Sequence, residues 1–228
     1  KKPKVAILSI GNELSYPGNS LKNCKISSSN AYGLKAFIES KNGEAYLKPI
    51  IKDEEEAITQ SIRQSLKFDL IVTIGGASVG KYDLVYDAAL KAGITFSFTQ
   101  VNMRPGKPFK AGQKGNTLFF SIPGNPVSSL ICSQLFIGPV LDKLQGSIHS
   151  LKVKEALLIE DMEANGSRKH FIRSKLIQKN NKSYVKPFKN QDSSNLTILN
   201  KANSLIMREE YAPAVKKGGK VKIIELNI

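Results

Sequence analysis

Cysteine and histidine are scarce in this chain of 228 residues, with two of each. Cys24 and Cys132 have no CxxC spacing and are too few for a disulfide scaffold. His149 and His170 lie far from them in sequence, which disfavours a zinc site. Long apolar runs are also missing. The longest candidate, residues 127–141, is broken by Ser128, Ser129, Ser133, Gln134 and Gly138-Pro139, and a membrane span needs about 18 or more apolar residues. No apolar stretch of signal-peptide length follows Lys1-Lys2-Pro3-Lys4. Few cysteines and no export signal lead us to expect a cytoplasmic protein. The first residue is Lys rather than Met, which reads as part of a longer protein.

Acidic side chains are outnumbered, 19 against 34 Lys and Arg, for a net charge of +15. The excess is spread rather than clustered, seven over residues 1–150 and eight over residues 151–228. No basic tract interleaves with aromatics, so the charge reads as a solvated surface. Neither nucleic acid nor a membrane is expected as a partner. Composition is ordinary for a globular chain, 41% hydrophobic and 23% charged. The length suits one large domain or two small ones.

Strand and helix signals alternate through the first two-thirds. Residues 5–10 read as a buried strand closed by Gly11. Asn30 is placed to cap a helix carrying Leu34, Phe37 and Ile38 on one face, and Gly43 stops it. Residues 44–51 read as a strand. Asp53 is placed to cap a helix with Ile58, Ile62 and Leu66 in register. Residues 69–74 form the next buried strand, 83–92 a helix, 118–122 a strand and 126–144 a last long helix. This succession predicts a three-layer α/β/α domain with a mostly parallel sheet over residues 1–146. Beyond Gly146, short strand-like runs at 157–160, 171–177, 184–188, 204–208 and 220–226 alternate with Asn-Gly, Asn-Asn and Gly-Gly turn signals. They predict a small all-β, barrel-like domain over residues 147–228.

In an open α/β sheet, ligands bind beyond the carboxyl ends of the strands. There this chain carries Gly11-Asn12-Glu13, Lys52-Asp53-Glu54, Gly75-Gly76-Ala77-Ser78-Val79-Gly80 and Pro123-Gly124-Asn125-Pro126. Gly75, Gly76, Ser78 and Gly80 would let backbone amides approach an anion, although such a loop is equally a tight strand-to-helix turn. In the fourth cluster two prolines fix the backbone and Pro126 suits the first helical turn, so its amides can face a phosphate or simply make a rigid turn. Glu13, Asp53 and Asp83 sit at three separate strand ends. Each alone is a helix cap or a solvated acid; together they make a candidate metal set for Mg²⁺ through oxygen ligands. Arg104 and Lys107 lie on a stiff loop, Met103-Arg104-Pro105-Gly106-Lys107-Pro108. Carboxylates facing cations and a glycine loop suit a phosphorylated ligand.

These clusters, in this order, resemble the molybdopterin molybdenumtransferase family, the MoeA proteins and the E domain of gephyrin. The matching text is IGNEL at 10–14, Ser29-Asn30, IKD at 51–53, DLIVTIGGASVGKYD at 69–83, MRPGKP at 103–108 and IPGNPVS at 122–128. The resemblance covers essentially the whole chain. It implies an enzyme that takes adenylylated molybdopterin and molybdate, releases AMP with Mg²⁺, and leaves molybdenum in the dithiolene. It implies catalytic roles for Glu13, Asp53 and Asp83, and binding roles for Arg104, Pro123, Pro126 and Arg173. Arg104 stands where the family usually has Lys, Gln100 where many members have Lys, Lys81 where Asp or Glu is usual, and Asp192 where Gly is usual. The family carries further N-terminal domains that complete the cleft across a homodimer, so this chain alone is expected to hold half a site and to be inactive. Two alternatives stay open: a molybdopterin adenylyltransferase, against which the β domain argues, and a non-catalytic scaffold of the gephyrin type.

Overall fold

Val5, Ala6, Ile7 and Leu8 are all buried, as a parallel strand covered on both faces requires. The computed structural model describes residues 1–19, 25–76, 83–147 and 151–226. In chain order its elements begin with β1 (Lys4–Ser9), β2 (Leu14–Ser15), β3 (Ile26–Ser27), α1 (Ser29–Ser40), β4 (Glu44–Leu47), α2 (Glu55–Gln64) and β5 (Leu70–Ile74). Then come α3 (Leu84–Lys91), β6 (Thr95–Phe98), β7 (Met103–Arg104), β8 (Lys110–Lys114), β9 (Thr117–Ile122), α4 (Pro126–Cys132) and α5 (Gly138–Leu144). The last are β10 (Val153–Leu158), β11 (Lys169–Lys179), β12 (Lys182–Pro187), α6 (Leu196–Lys201), β13 (Ser204–Arg208) and β14 (Lys220–Glu225). They fall into two compact units: residues 1–101 with 108–149, and residues 102–107 with 150–228.

The first unit is a three-layer α/β/α domain. Its sheet runs β4-β1-β5-β9-β8-β6. The first four strands are parallel; β8 joins β9 antiparallel, and β6 pairs antiparallel with β8. On one face, Ile58 and Ile62 of α2 and Val85, Ala88 and Ala89 of α3 pack on Ala6, Leu8, Ile71 and Phe119. The other face is covered by α1, through Leu34, Phe37 and Ile38, and by α4, through Val127 and Ile131. β6 and β8 were not expected from sequence, because Lys110-Ala111-Gly112-Gln113-Lys114 lacks the apolar run of an interior strand.

The expected helix over residues 126–144 is present, but its middle turn, Ser133–Ile137, widens into a π-helix. Gly138 N donates to Ser133 O, five residues back. Pro139 has no N–H to return to the carbonyl four residues before it, which favours that local rearrangement. By length and composition this rod could cross a membrane, but 61% of its apolar window is buried inside the fold.

The second unit is a closed barrel in the order β12-β10-β14-β13-β11, with β11 pairing back to β12 and β7 added outside β11. Ala156, Leu158, Val185, Ile206, Val221 and Ile223 fill it. The Asn-Asn signal is the β11–β12 turn, where Asn180 and Asn181 have φ of 49° and 57°, the conformation that two-residue hairpins need. The unit also carries a short helix, α6, capped by Asn195 accepting from Ile198 N. An all-β pattern did not anticipate it.

Candidate functional site

The ends of the four parallel strands are tied into one continuous rim. Gly11 N donates to Ile51 O at 3.1 Å, Ile10 N to Ile74 O at 3.0 Å, and Gly75 N to Ile122 O at 3.3 Å. Strand order reverses between β1 and β5, since β4 lies on one side of β1 and β5 on the other. That topological switch is where open α/β sheets take their ligands.

Asp53 is not the cap of α2. Glu54 precedes that helix in extended conformation, and Asp53 turns to the end of β1 instead. Its Oδ2 accepts from Asn12 N at 2.8 Å, while its own N–H donates to Asn12 Oδ1 at 3.3 Å. Glu13 is exposed and folds over the same turn: a Cβ built on Gly11 would meet its carboxylate at 2.5 Å. Asn30 is likewise not a cap, since α1 starts at Ser29. Asn30 Nδ2 donates to Gly124 O at 2.6 Å, holding the Pro123–Pro126 turn.

Gly75 and Gly76 both have positive φ, 84° and 64°. A Cβ on Gly75 would meet Ile10 O at 2.5 Å, and one on Gly76 would meet Val85 Cγ2 at 2.7 Å. These glycines are required by the backbone. The two glycine turns also touch, because a Cβ on Gly124 would lie 3.4 Å from Gly75 Cα. Pro123 is buried, Gly124 and Asn125 are exposed, and Pro126 opens α4. Ser78 and Gly80 lie outside the described residues.

Asp83 caps α3, accepting from Tyr86 N at 3.0 Å through Oδ1. Its Oδ2 forms an ion pair with Lys110 Nζ at 2.5 Å, with both side chains almost wholly buried. Among the described residues, no group of three or more His, Cys, Asp or Glu side chains could hold a metal ion. Glu13 and Asp53 flank one turn, and their carboxylates belong to the oxygen-donor class that Mg²⁺ takes. Both Asp83 oxygens face protein groups, Oδ1 the Tyr86 N–H and Oδ2 the Lys110 ammonium.

In the second unit, β7 pairs parallel to β11, setting Arg104 opposite His170. Arg104 and Lys107 are exposed. Arg173 is buried, its Nη1 donating to Asp192 O at 2.8 Å and its Nε to Gln191 Oε1 at 3.3 Å. Burial draws the Arg173 pKa down; the Asp192 carboxylate opposes this and Arg104 adds to it. The His170 pKa falls to about 4, through burial first and then the charges of Arg104, Arg168, Arg173 and Arg208. Arg208 is tied to backbone carbonyls, including those of Ala212 and Pro213. The unit therefore gathers four guanidinium groups around one neutral imidazole, a field that suits an oxyanion.

Sequence reading singled out the carboxylates, the glycine turns and Arg104 but missed the roles of Asn12, Asn30, His170 and Lys110. The first two stood in recognised motifs. Lys110 had one signal, a lysine between the apolar Phe109 and Ala111.

A fold of this kind, with its polar and glycine-rich turns at strand ends, is that of a molybdopterin-binding α/β domain followed by a β-barrel module. Residues 6–143 match the family described as "Probable molybdopterin binding domain", and the chain belongs to it. Residues 155–226 match the MoeA C-terminal region, domain IV. The chain is 28% identical to a molybdopterin molybdenumtransferase from Nostoc over all of its own length and 54% of that protein. It is 31% identical to the molybdenum cofactor synthesis protein cinnamon of Drosophila melanogaster, covering 95% of this chain and 37% of that one. The crystal structure of a MoeA protein from Pyrococcus horikosii superposes with a TM-score of 0.84 at 26% identity, over 98% of this chain and 54% of that one. The chain thus spans about half the length of these bacterial and archaeal relatives.

Proposed function

We propose that this chain is the part of a molybdopterin molybdenumtransferase that holds adenylylated molybdopterin and molybdate while AMP is released and molybdenum enters the dithiolene. The observation that carries this reading is the contact between the Gly75 and Gly124 turns at the ends of β5 and β9, beside the sheet's switch point, tied by Asn30 and with the Asn12–Asp53 pair across the β1 end. Backbone amides there suit the phosphates of a pterin nucleotide. Glu13 and Asp53 are the oxygen donors we assign to Mg²⁺, which when bound would neutralise the departing phosphate. Arg104, Lys107 and Arg173 are the cations we assign to molybdate. Work in the cytoplasm and assembly as a homodimer through further N-terminal domains belong to the same reading. So does the expectation that the 228-residue chain binds without turnover, since an incomplete cleft leaves reacting groups in water and unaligned.

The test is titration calorimetry of the chain with adenylylated molybdopterin. Asn30→Ala frees the Gly124 turn while leaving α1 intact. We expect binding five- to tenfold weaker, on the order of one lost hydrogen bond, about 1–1.4 kcal/mol. Absence of binding by the unaltered chain, or equal affinity in the variant, would reject the site.

A further inference from the structure

Lys110 has a setting unlike the other lysines described here. Its side chain is 6% exposed and that of its partner Asp83 11%, whereas the lysines in the other ion pairs range from 32% to 86%. Nζ stands 2.5 Å from Asp83 Oδ2 and 3.4 Å from Pro108 O. Lys110 lies opposite Ser121 on β9, and Ser121 lies opposite Thr73 on β5. Directly opposed residues share a face of the sheet. Ile71 and Phe119, two residues before Thr73 and Ser121, put that face under α2 and α3. Among the described residues the hydroxyls of Ser121 and Thr73 are buried without a hydrogen-bond partner, and so is Asp83 Oδ2, whose contact with Lys110 is one of charge and not of hydrogen-bond geometry. The ammonium is therefore walled by the core, and Asp83 is its counter-ion.

We propose that Lys110 is the resident cation of Asp83 and excludes a divalent metal from it. Positive charge at this corner of the rim comes from the protein itself, and a metal on the rim is held by Glu13 and Asp53 without Asp83. Two cations on one carboxylate oxygen would lie within a few ångströms of each other and repel strongly in this buried corner. Mg²⁺ bonds carboxylate oxygen at about 2.0–2.1 Å, which would set it against an ammonium already 2.5 Å from that oxygen. Lysine is a compact point charge on a flexible stem, so only its withdrawal would open the oxygen. Burial opposes withdrawal, because leaving one member of a buried pair alone costs more than losing both. The proposal rests on reading the rim as the substrate site, but its test uses no pterin. A failure of the function assigned above would appear in ligand calorimetry and leave this test untouched.

The experiment titrates the 228-residue chain with Mn²⁺, read by electron paramagnetic resonance, with circular dichroism checking each fold. The proteins are the unaltered chain, Lys110→Met, and the double variant Asp83→Asn with Lys110→Met, which removes both charges together. The double variant should match the unaltered chain in Mn²⁺ binding within twofold. Lys110→Met should gain at least fivefold in affinity, or acquire a site the parent lacks, and that gain should vanish in the double variant. A fivefold or greater loss in the double variant would make Asp83 a ligand and overturn the proposal. A folded Lys110→Met chain with no gain would overturn it too. If Lys110→Met does not fold, the double variant against the parent decides alone.

Discussion

Asn12 and Asp53 clasp each other across the ends of β1 and β4: Asn12 N donates to Asp53 Oδ2 at 2.8 Å, and Asp53 N donates back to Asn12 Oδ1 at 3.3 Å. Two residues 41 apart in sequence thereby set the turn that carries Glu13. The carboxylate expected to begin a helix works instead as a brace between two neighbouring strand ends.

Asp53→Asn should weaken that brace without unfolding the chain. One charge-assisted hydrogen bond becomes a neutral one, a loss of about 0.5–1.5 kcal/mol. Urea denaturation should show a lower midpoint with an unchanged slope. Amide exchange at Asn12 should speed up while core amides of β5 stay protected. Collapse of the whole fold would mean that Asp53 supports far more than this turn.

Gly76→Ala should fold poorly whether or not a ligand is present. The φ of 64° disfavours a side chain, and the new Cβ meets Val85 Cγ2 at 2.7 Å and Ile10 Cγ2 at 3.1 Å. Strain and clash together should cost about 1–3 kcal/mol. Among the described residues Gly124→Ala meets only the Gly75 backbone, Cα at 3.4 Å and N at 4.0 Å, and should be tolerated. Equal stability of the two variants in chemical denaturation would contradict this account. It also makes Gly76 a poor probe of ligand binding, which is why Asn30 serves that purpose.

His170 should make the barrel acid-sensitive. Its folded pKa of about 4 lies below the 6.5 of an ordinary imidazole. Below pH 6.5 the unfolded chain takes up a proton that the folded chain refuses. Stability from this group is therefore full above 6.5, falls as pH drops from 6.5 to 4, and is flat below. Allowing for partial solvent exposure, the loss should be roughly 1–2 kcal/mol. His170→Gln should flatten the dependence of the denaturation midpoint over that window. An unchanged profile would assign the acid sensitivity to other groups.

Much of this protein is written locally in its sequence. The run Leu70–Ile74, continuously apolar but for Thr73, is a buried strand because both faces are covered, and Gly75 follows because the chain must turn at positive φ. Asp83 caps α3 because a short carboxylate reaches an amide three residues on. The Asn180-Asn181 turn joins β11 to β12 because asparagine tolerates left-handed backbone. Periods, caps and turns involve neighbours in the chain, so residue type and spacing suffice to read them. The rest depends on long-range register. Asp53 met Asn12 instead of capping its helix only because β4 pairs with β1. Lys110 met Asp83 only because an antiparallel strand continued the sheet beyond β9. Arg104 came to His170 only because β7 joined the second unit's β11. A side chain with two competing partners takes the one that packing brings within reach, and that choice is made by the sheet as a whole.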